Sequence, residues 1–375
     1  MLTLGYDAKR AFHNFTGLGA YSRQLLLGLA DLSAGLRLRL YTPPFVPHPA
    51  LEDLLNHPAV AVVTGPRRLA SLWRARGFGR ALRDDPPDLL HGLSNAVPPG
   101  LHGRLPVVMT VHDVIHRLFP RWYPWTDRQV YEAKLRAGLR HSAAIVAVSR
   151  HTADDLVRHY GVDPGRIHCI PPPLAAHFTP DIPASQLAAV RAAQHLPAEY
   201  LLYTGSITPR KNLLTLVQAL ALLPAGQRPP LVVAGRGGRY RAEVARYVAR
   251  QGLESQVLWR PDVRDADLPA VYRMASLLIY PSLYEGFGLP VAEALACGTA
   301  VVTARGSSME EAGGPGARYV EPADVGAMAA AIADLLGDSA GRQALAAQGQ
   351  AHVRAYAREV VAARTLDLYR QVLGR

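Results

Sequence analysis

Two glutamates, Glu285 and Glu293, flank the seven-residue run GFGLPVA within PSLYEGFGLPVAEALACGTAVV, Pro281 to Val302. Carboxylates facing one cleft can accept hydrogen bonds from sugar or ribose hydroxyls. They could also form the acid and base of a glycoside hydrolase. Gly286 and Gly288 carry no Cβ, so backbone there can approach a ligand closely. Pro290 suits a first helical residue and Gly298 a helix stop, which predicts a helix over 290–297. A short apolar run, a glycine-rich turn and a helix is a nucleotide-holding layout in open α/β sheets.

A second group is TGSITPRKN, Thr204 to Asn212, directly after the apolar run YLLYT. Gly205 and Ser206 permit a tight turn. Arg210 and Lys211 then stand at the start of a helix expected over 211–223. Helix N-termini attract anions and disfavour bare cations. Two cations at that place therefore point to an anionic ligand such as a diphosphate. The plain alternative is a pair of solvated surface charges. AGRGG, Ala234 to Gly238, lacks the dinucleotide spacing, which argues against a nicotinamide site.

A third group lies in the first half. TVHDVIH, Thr110 to His116, places His112 and His116 four residues apart, as in helical zinc motifs. The preceding PVVMTV reads as a strand, so no metal site is expected. His112 and Asp113 at the carboxyl end of a parallel strand should instead face a cleft. HGLSN, His91 to Asn95, ends the neighbouring strand in the same way. A buried, hydrogen-bonded histidine is the structural alternative. TGLGAYSRQLL, Thr16 to Leu26, sets Gly17 and Gly19 in a loop before a helix.

Strand-like runs alternate with helical stretches along nearly the whole chain, which implies mostly parallel sheets covered on both faces. Expected strands in the first half are Leu2–Tyr6, Leu36–Tyr41, Val60–Val63, Leu89–His91, Val107–Val111, Ile145–Val148 and Ile167–Ile170, with helices near 18–33, 68–83, 126–140 and 151–159. Prolines 171–173, 180 and 183 mark an interdomain linker. The alternation then restarts, with strands at 201–204, 231–234, 257–259, 277–280, 300–303 and 318–320 and an alanine-rich helical tail over 324–375. The 375 residues suit two α/β domains.

The composition is 49% hydrophobic and 19% charged, as in soluble globular chains. No apolar run is long enough to span a bilayer, and the N-terminus lacks a secretory pattern. Two distant cysteines suit a reduced cytoplasmic setting. The net charge of +11 is uneven: residues 1–180 hold 21 basic and 13 acidic side chains, and residues 181–375 hold 20 and 17. Arg67, Arg68, Arg74, Arg76, Arg80 and Arg83 lie in one stretch with interleaved apolar residues and no acid. Such a segment could meet an anionic membrane surface or nucleic acid, or simply solvate a helix face.

Taken together, the N-terminal GLG, the HD after a strand, the G-S-x-x-x-R-K-N block, DLPAVYRMA, the E-x7-E block with GFGLP, and SSMEE resemble the retaining nucleotide-sugar glycosyltransferases of family 4. That resemblance implies the GT-B fold, two Rossmann-like domains facing each other across a cleft. It implies an acceptor domain over 1–175, a donor domain over 176–355 and a final helix, 356–375, returning to the first domain. By the same resemblance Arg210 and Lys211 bind the diphosphate and Gly17 and Gly19 approach it. Glu293 holds the ribose, and Glu285 contacts the donor sugar. Gly205, Gly286, Phe287 and Gly288 line the donor site, and His112 lies near the anomeric carbon. His91, Asn95 and Asp113 are assigned to the acceptor side. The expected substrates are a GDP- or UDP-sugar and a saccharide or lipid-linked acceptor, with no permanent cofactor and no required metal. The segment SSMEE departs from the family by lacking a proline before its last acid, which leaves open which of Glu310 and Glu311 faces the site, if either does. A sugar-nucleotide epimerase is a second enzyme reading. A basic nucleic-acid-binding protein is a third, without a trusted motif to support it.

Overall fold

A computed structural model describes residues 1–32, 35–65, 78–98 and 105–375. The chain divides into two compact units, Met1–Ala175 with Tyr356–Arg375, and Ala176–Ala355. Each is an α/β unit built on one parallel sheet. The chain leaves the first unit through the proline-rich stretch and re-enters it at Tyr356.

The first sheet has seven strands: β1 (Leu2–Asp7), β2 (Leu36–Thr42), β3 (Val60–Thr64), β4 (Leu89–Gly92), β5 (Val107–Val111), β6 (Ala144–Ala147) and β7 (Ile167–Cys169). Their order is β3-β2-β1-β4-β5-β6-β7, all parallel. Every residue of β4, β5 and β6 is buried. Continuous apolar runs, rather than alternating ones, are what a parallel sheet covered on both faces requires.

The helix Gly17–Leu32 covers one face through Leu25, Leu26 and Leu29, and the final helix Arg358–Leu373 joins the same core through Val361, Ala362, Leu366 and Tyr369. These two helices approach closely at Gly28, where a Cβ would stand 2.9 Å from the Ala362 Cβ.

The second sheet has six strands: β8 (Leu201–Thr204), β9 (Leu231–Ala234), β10 (Val257–Arg260), β11 (Leu277–Tyr280), β12 (Val301–Ala304) and β13 (Ala317–Val320). They run parallel in the order β10-β9-β8-β11-β12-β13. Strand order reverses between β1 and β4 in one sheet and between β8 and β11 in the other. At such switch points the loops leave in opposite directions and open a crevice at the carboxyl ends of the strands.

The helix expected near 68–83 is seen as Phe78–Asp84, and residues 66–77, with four of the six clustered arginines, lie outside the described residues. Among the described residues four α-helices were not anticipated: Lys9–His13, Glu52–Asn56, Ile115–Leu118 and Ala184–Ala193. The first three are under two turns long and carry no readable period. The alanine-rich tail is three helices, Val325–Gly337, Ser339–Val353 and Arg358–Leu373. Asp338 makes the first break, its carboxylate capping Gly341 N at 2.8 Å. Among the described residues no helix is long and apolar enough to cross a membrane.

Candidate active site

In the second unit the site is built at the switch point. Strand β8 ends at Thr204, and Gly205 turns the chain at φ +104°. Gly235, after β9, comes so near that a Cβ on it would lie 1.9 Å from Gly205 O. Ile207 N then donates to Arg236 O at 2.8 Å. AGRGG is thus a brace for the turn after β8, and its glycines allow backbone to meet backbone.

Arg210 and Lys211 do not begin the following α-helix, contrary to expectation. They sit in a 3₁₀ turn, Pro209–Lys211. Asn212 intervenes at φ +57°, its side chain tied to Pro322 O and Thr215 Oγ1, and the α-helix starts at Leu213. Proline sets the turn and the left-handed asparagine ends it.

The two cations also have a protein partner. Glu285 Oε1 lies 2.5 Å from Arg210 Nη1 and 2.7 Å from Lys211 Nζ. The same oxygen accepts from Tyr280 OH at 2.9 Å and Ser282 Oγ at 2.8 Å. Lys211 also donates to Tyr280 OH. Burial alone would raise the Glu285 pKa, but Lys211 and Arg210 overcome it and hold it at about 2. Burial pushes Lys211 downward against the pull of Glu285. The loop is knitted further by Arg210 Nη1 to Tyr284 O at 2.8 Å, Leu283 N to Arg210 O at 2.8 Å, and Ser308 Oγ to Glu285 O at 2.8 Å.

Among the described residues these four donors all fall on Oε1 of Glu285 rather than Oε2. Gly286, Phe287 and Gly288 are buried beside it. Gly288 has φ +105°, and a Cβ there would stand 2.8 Å from Met309 Sδ. Both the turn and the packing therefore require glycine at 288.

Glu293 lies in the helix Leu289–Ala296, which Gly298 stops at φ +76°. Its Oε2 accepts from Tyr272 OH at 2.9 Å, and Tyr272 OH lies 3.0 Å from Thr204 Oγ1. Burial raises the pKa of Glu293 to about 7, partly opposed by the Tyr272 bond. Environment thus drives the two glutamates apart. Glu285 is a firm anion, and Glu293 is a carboxyl that titrates near neutrality. Glu310 is exposed, 3.5 Å from Arg305, and Glu311 is half-buried with its carbonyl bonded by His352.

In the first unit His112 follows β5. Its Nε2 lies 3.0 Å from Leu93 O, and Tyr21 meets its ring edge-on, with centroids 4.6 Å apart at 90°. Burial, followed by Arg10, outweighs the Leu93 bond and leaves the pKa at about 4. The neutral ring must carry its proton on Nε2, because a carbonyl can only accept. Nδ1 then keeps the lone pair.

Asn95 serves the backbone here, accepting from His112 N at 2.8 Å and donating to Asp113 O at 2.8 Å. Asp113 Oδ1 accepts from Ile115 N at 3.1 Å. His116 sits on the short helix after β5, 3.1 Å from Glu132, so the two histidines do not share a helix. Among the described residues no cluster of three or more His, Cys, Asp and Glu could hold a metal.

His91, expected on the acceptor side, lies in the core of the first unit. It is fully buried, with Nδ1 2.6 Å from Tyr369 OH and Nε2 2.8 Å from Thr110 Oγ1. Both nitrogens are occupied, and burial lowers its pKa to about 3. Gly17 and Gly19, expected in a loop before a helix, form the first turn of that helix. Gly17 is exposed, whereas a Cβ on Gly19 would lie 1.6 Å from Asn14 O. Sequence reasoning missed Tyr272, Tyr280, Ser282 and Thr204. Tyr280 and Thr204 stand at strand ends beside the two motifs, which was the available signal.

The chain matches the family "Glycosyltransferase Family 4" over residues 15–176 and "Glycosyl transferases group 1" over residues 191–352. The chain is a family 4-like glycosyltransferase. It is 29% identical over 368 residues to O-antigen chain mannosyltransferase B of Escherichia coli, covering 95% of this chain and 96% of that one. It is 37% identical over 246 residues to a D-inositol 3-phosphate glycosyltransferase of Xylanimonas cellulosilytica, covering 62% and 58%. Sucrose-phosphate synthase from Thermosynechococcus elongatus superposes with a TM-score of 0.79 at 24% identity over 100% of both chains. HepE from Anabaena, solved in complex with UDP, superposes with a TM-score of 0.75 at 19% identity over 99% and 100%. The fold of this glycosyltransferase is GT-B, with parallel sheets of seven and six strands.

Proposed function

We propose that this glycosyltransferase moves a hexose, mannose first among candidates, from a nucleotide diphosphate sugar to a saccharide or lipid-linked acceptor, with retention, in cell-surface polysaccharide or glycolipid synthesis. The observation that carries this reading is the convergence of Arg210, Lys211 and Glu285 at the switch point of the second sheet. The mannosyl choice follows the E. coli relative, and HepE supplies the precedent of UDP on this fold.

Cleaving a glycosyl phosphate bond builds negative charge on the departing diphosphate. Two prepositioned cations stabilise that charge without reorganising. Glu285 keeps these adjacent cations together before the nucleotide arrives, and its Oε2 takes a hydroxyl of the transferred sugar. Glu293 accepts from the ribose. The neutral His112 sits near the anomeric carbon, with Asn95 fixing its backbone. Gly17 and Gly19 approach the diphosphate, and Asp113 faces the acceptor. In this reading the leaving-group charge is met by side chains, with no metal required. Retention rests on the family resemblance.

The enzyme would act at the cytoplasmic face of a membrane, with the Arg67–Arg83 segment meeting anionic lipid. Vesicle flotation with Arg74, Arg76 and Arg80 reversed in charge tests that contact. The central test is thermal stabilisation by UDP, GDP and ADP and by their sugars. One nucleoside diphosphate should stabilise the protein, and Arg210→Ala and Glu293→Ala should each weaken that binding by about tenfold or more. If none of the nucleotides stabilises the protein, the proposal fails. Conversion of the nucleotide sugar without an acceptor would point to an epimerase instead.

A further inference from the structure

A chain of buried polar groups runs through the core of the first unit and ends on His112. Tyr369, on the final helix, lies 2.6 Å from His91 Nδ1. His91 Nε2 lies 2.8 Å from Thr110 Oγ1, and Thr110 Oγ1 lies 2.9 Å from Tyr21 OH. Tyr21 then meets the His112 ring edge-on. Tyr369, His91 and Thr110 are 0% exposed and Tyr21 is 3%. The surrounding core is made of Leu4, Leu25, Leu29, Leu89, Val108 and their neighbours.

Packing does not require this. Leucine or phenylalanine would fill the same space without the desolvation that hydroxyls and imidazole incur. Each link is satisfied head to tail, because a neutral imidazole donates at one nitrogen and accepts at the other while each hydroxyl can do both. Such a chain can run in either proton direction but loses a partner if any one member rotates away.

The register explains why it reaches the site. His91 and Leu93 belong to β4 and its exit, and Thr110 and His112 to β5 and its exit. Leu93 O holds the His112 ring at Nε2. The two strands therefore grip His112 directly, and the relay sets the Tyr21 ring that walls it.

We infer that Tyr369, His91, Thr110 and Tyr21 form a positioning relay through which the docked C-terminal helix sets the orientation of His112. The inference rests on the reading of His112 as a residue at the reacting sugar. The relay itself can be tested apart from that reading.

Thr110→Val keeps the shape of the side chain and cuts the chain at its centre, and Thr110→Ser keeps the hydroxyl. Imidazole resonances of the ¹⁵N-histidine-labelled full chain report on His112 directly. Release of nucleoside diphosphate is followed from whichever of GDP-mannose and UDP-glucose the parent enzyme turns over. Thr110→Val should shift the His112 ring signals and lower kcat by roughly tenfold to a hundredfold, with donor KM unchanged. Thr110→Ser should restore both. Tyr369→Phe, which cuts the chain at its far end, should move the same His112 signals, and it serves if Thr110→Val does not fold. Unmoved His112 signals in a folded Thr110→Val or Tyr369→Phe protein would overturn the relay. Moved signals with turnover indifferent to His112→Ala would preserve the relay and refute the catalytic role of His112.

Discussion

At the scale of single residues, the two glutamates of the E-x7-E block carry opposite electrostatic signatures. Glu285 has a folded pKa of about 2, against an ordinary 4.5, so the stability it contributes is present above pH 4.5 and is lost as pH falls toward 2. Glu293 runs the other way. Its folded pKa of about 7 lies above the ordinary 4.5, so its contribution is fully present below pH 4.5 and is lost as pH rises through 7. At pH 8 the ionised, half-buried Glu293 therefore costs up to about 3 kcal/mol. Glu293→Gln should be more stable than the parent at pH 8 by up to that amount, and nearly equal to it at pH 5. Urea denaturation at the two pH values checks this, and equal stability at both would show that Glu293 is ordinarily solvated. A ligand whose hydroxyls bond the carboxylate relieves the same cost, which is what a ribose would do.

At the scale of elements, glycines that look alike in sequence do different work. Gly17 and Gly19 both open the helix Gly17–Leu32. A Cβ at Gly17 meets nothing within 4 Å, whereas one at Gly19 would enter Asn14 O, the carbonyl that also accepts from Arg23 Nη1 at 2.9 Å. Gly17→Ala should stabilise by up to about 1 kcal/mol, because alanine loses less backbone entropy in a helix. Gly19→Ala should destabilise by about 2 kcal/mol, because backbone must move. Thermal melts of the two variants decide it, and similar shifts for both would show that the Asn14 contact gives way. The turns after β8 and β11 show the same limit of local reading. Gly288, predicted to approach a ligand, also has to admit Met309, and Gly205 has its carbonyl packed against Gly235 after β9.

At the scale of the whole molecule, the chain ends in the unit where it began. The helix Arg358–Leu373 completes the core that β1 and the helix Gly17–Leu32 leave open. Deleting residues 358–375 should therefore damage the first unit and spare the second, although the deleted segment follows the second in sequence. Calorimetry should show the first unit's transition lowered or lost, while the stabilising nucleoside diphosphate still raises the remaining one. Loss of nucleotide binding with the helix would mean that the second unit does not fold without it.

What was legible in the sequence was local. Continuous apolar runs dictated parallel strands because both faces of each strand are covered, and Gly286, Gly288, Pro290 and Gly298 punctuated the helix that carries Glu293. The residue types of the donor site, two cations and two carboxylates, were readable for the same reason. Their pairing was not. Glu285 meets Arg210 and Lys211 only because the switch point sets the exits of β8 and β11 side by side, and spacing along the chain holds no record of that. His91 looked the same in sequence as His112, each at a strand's end. Tertiary structure separated them by bringing Tyr369, 278 residues away, onto one and leaving the other just past the carboxyl end of β5. Burial and long-range partners set protonation and role, and both exist only once the chain has folded.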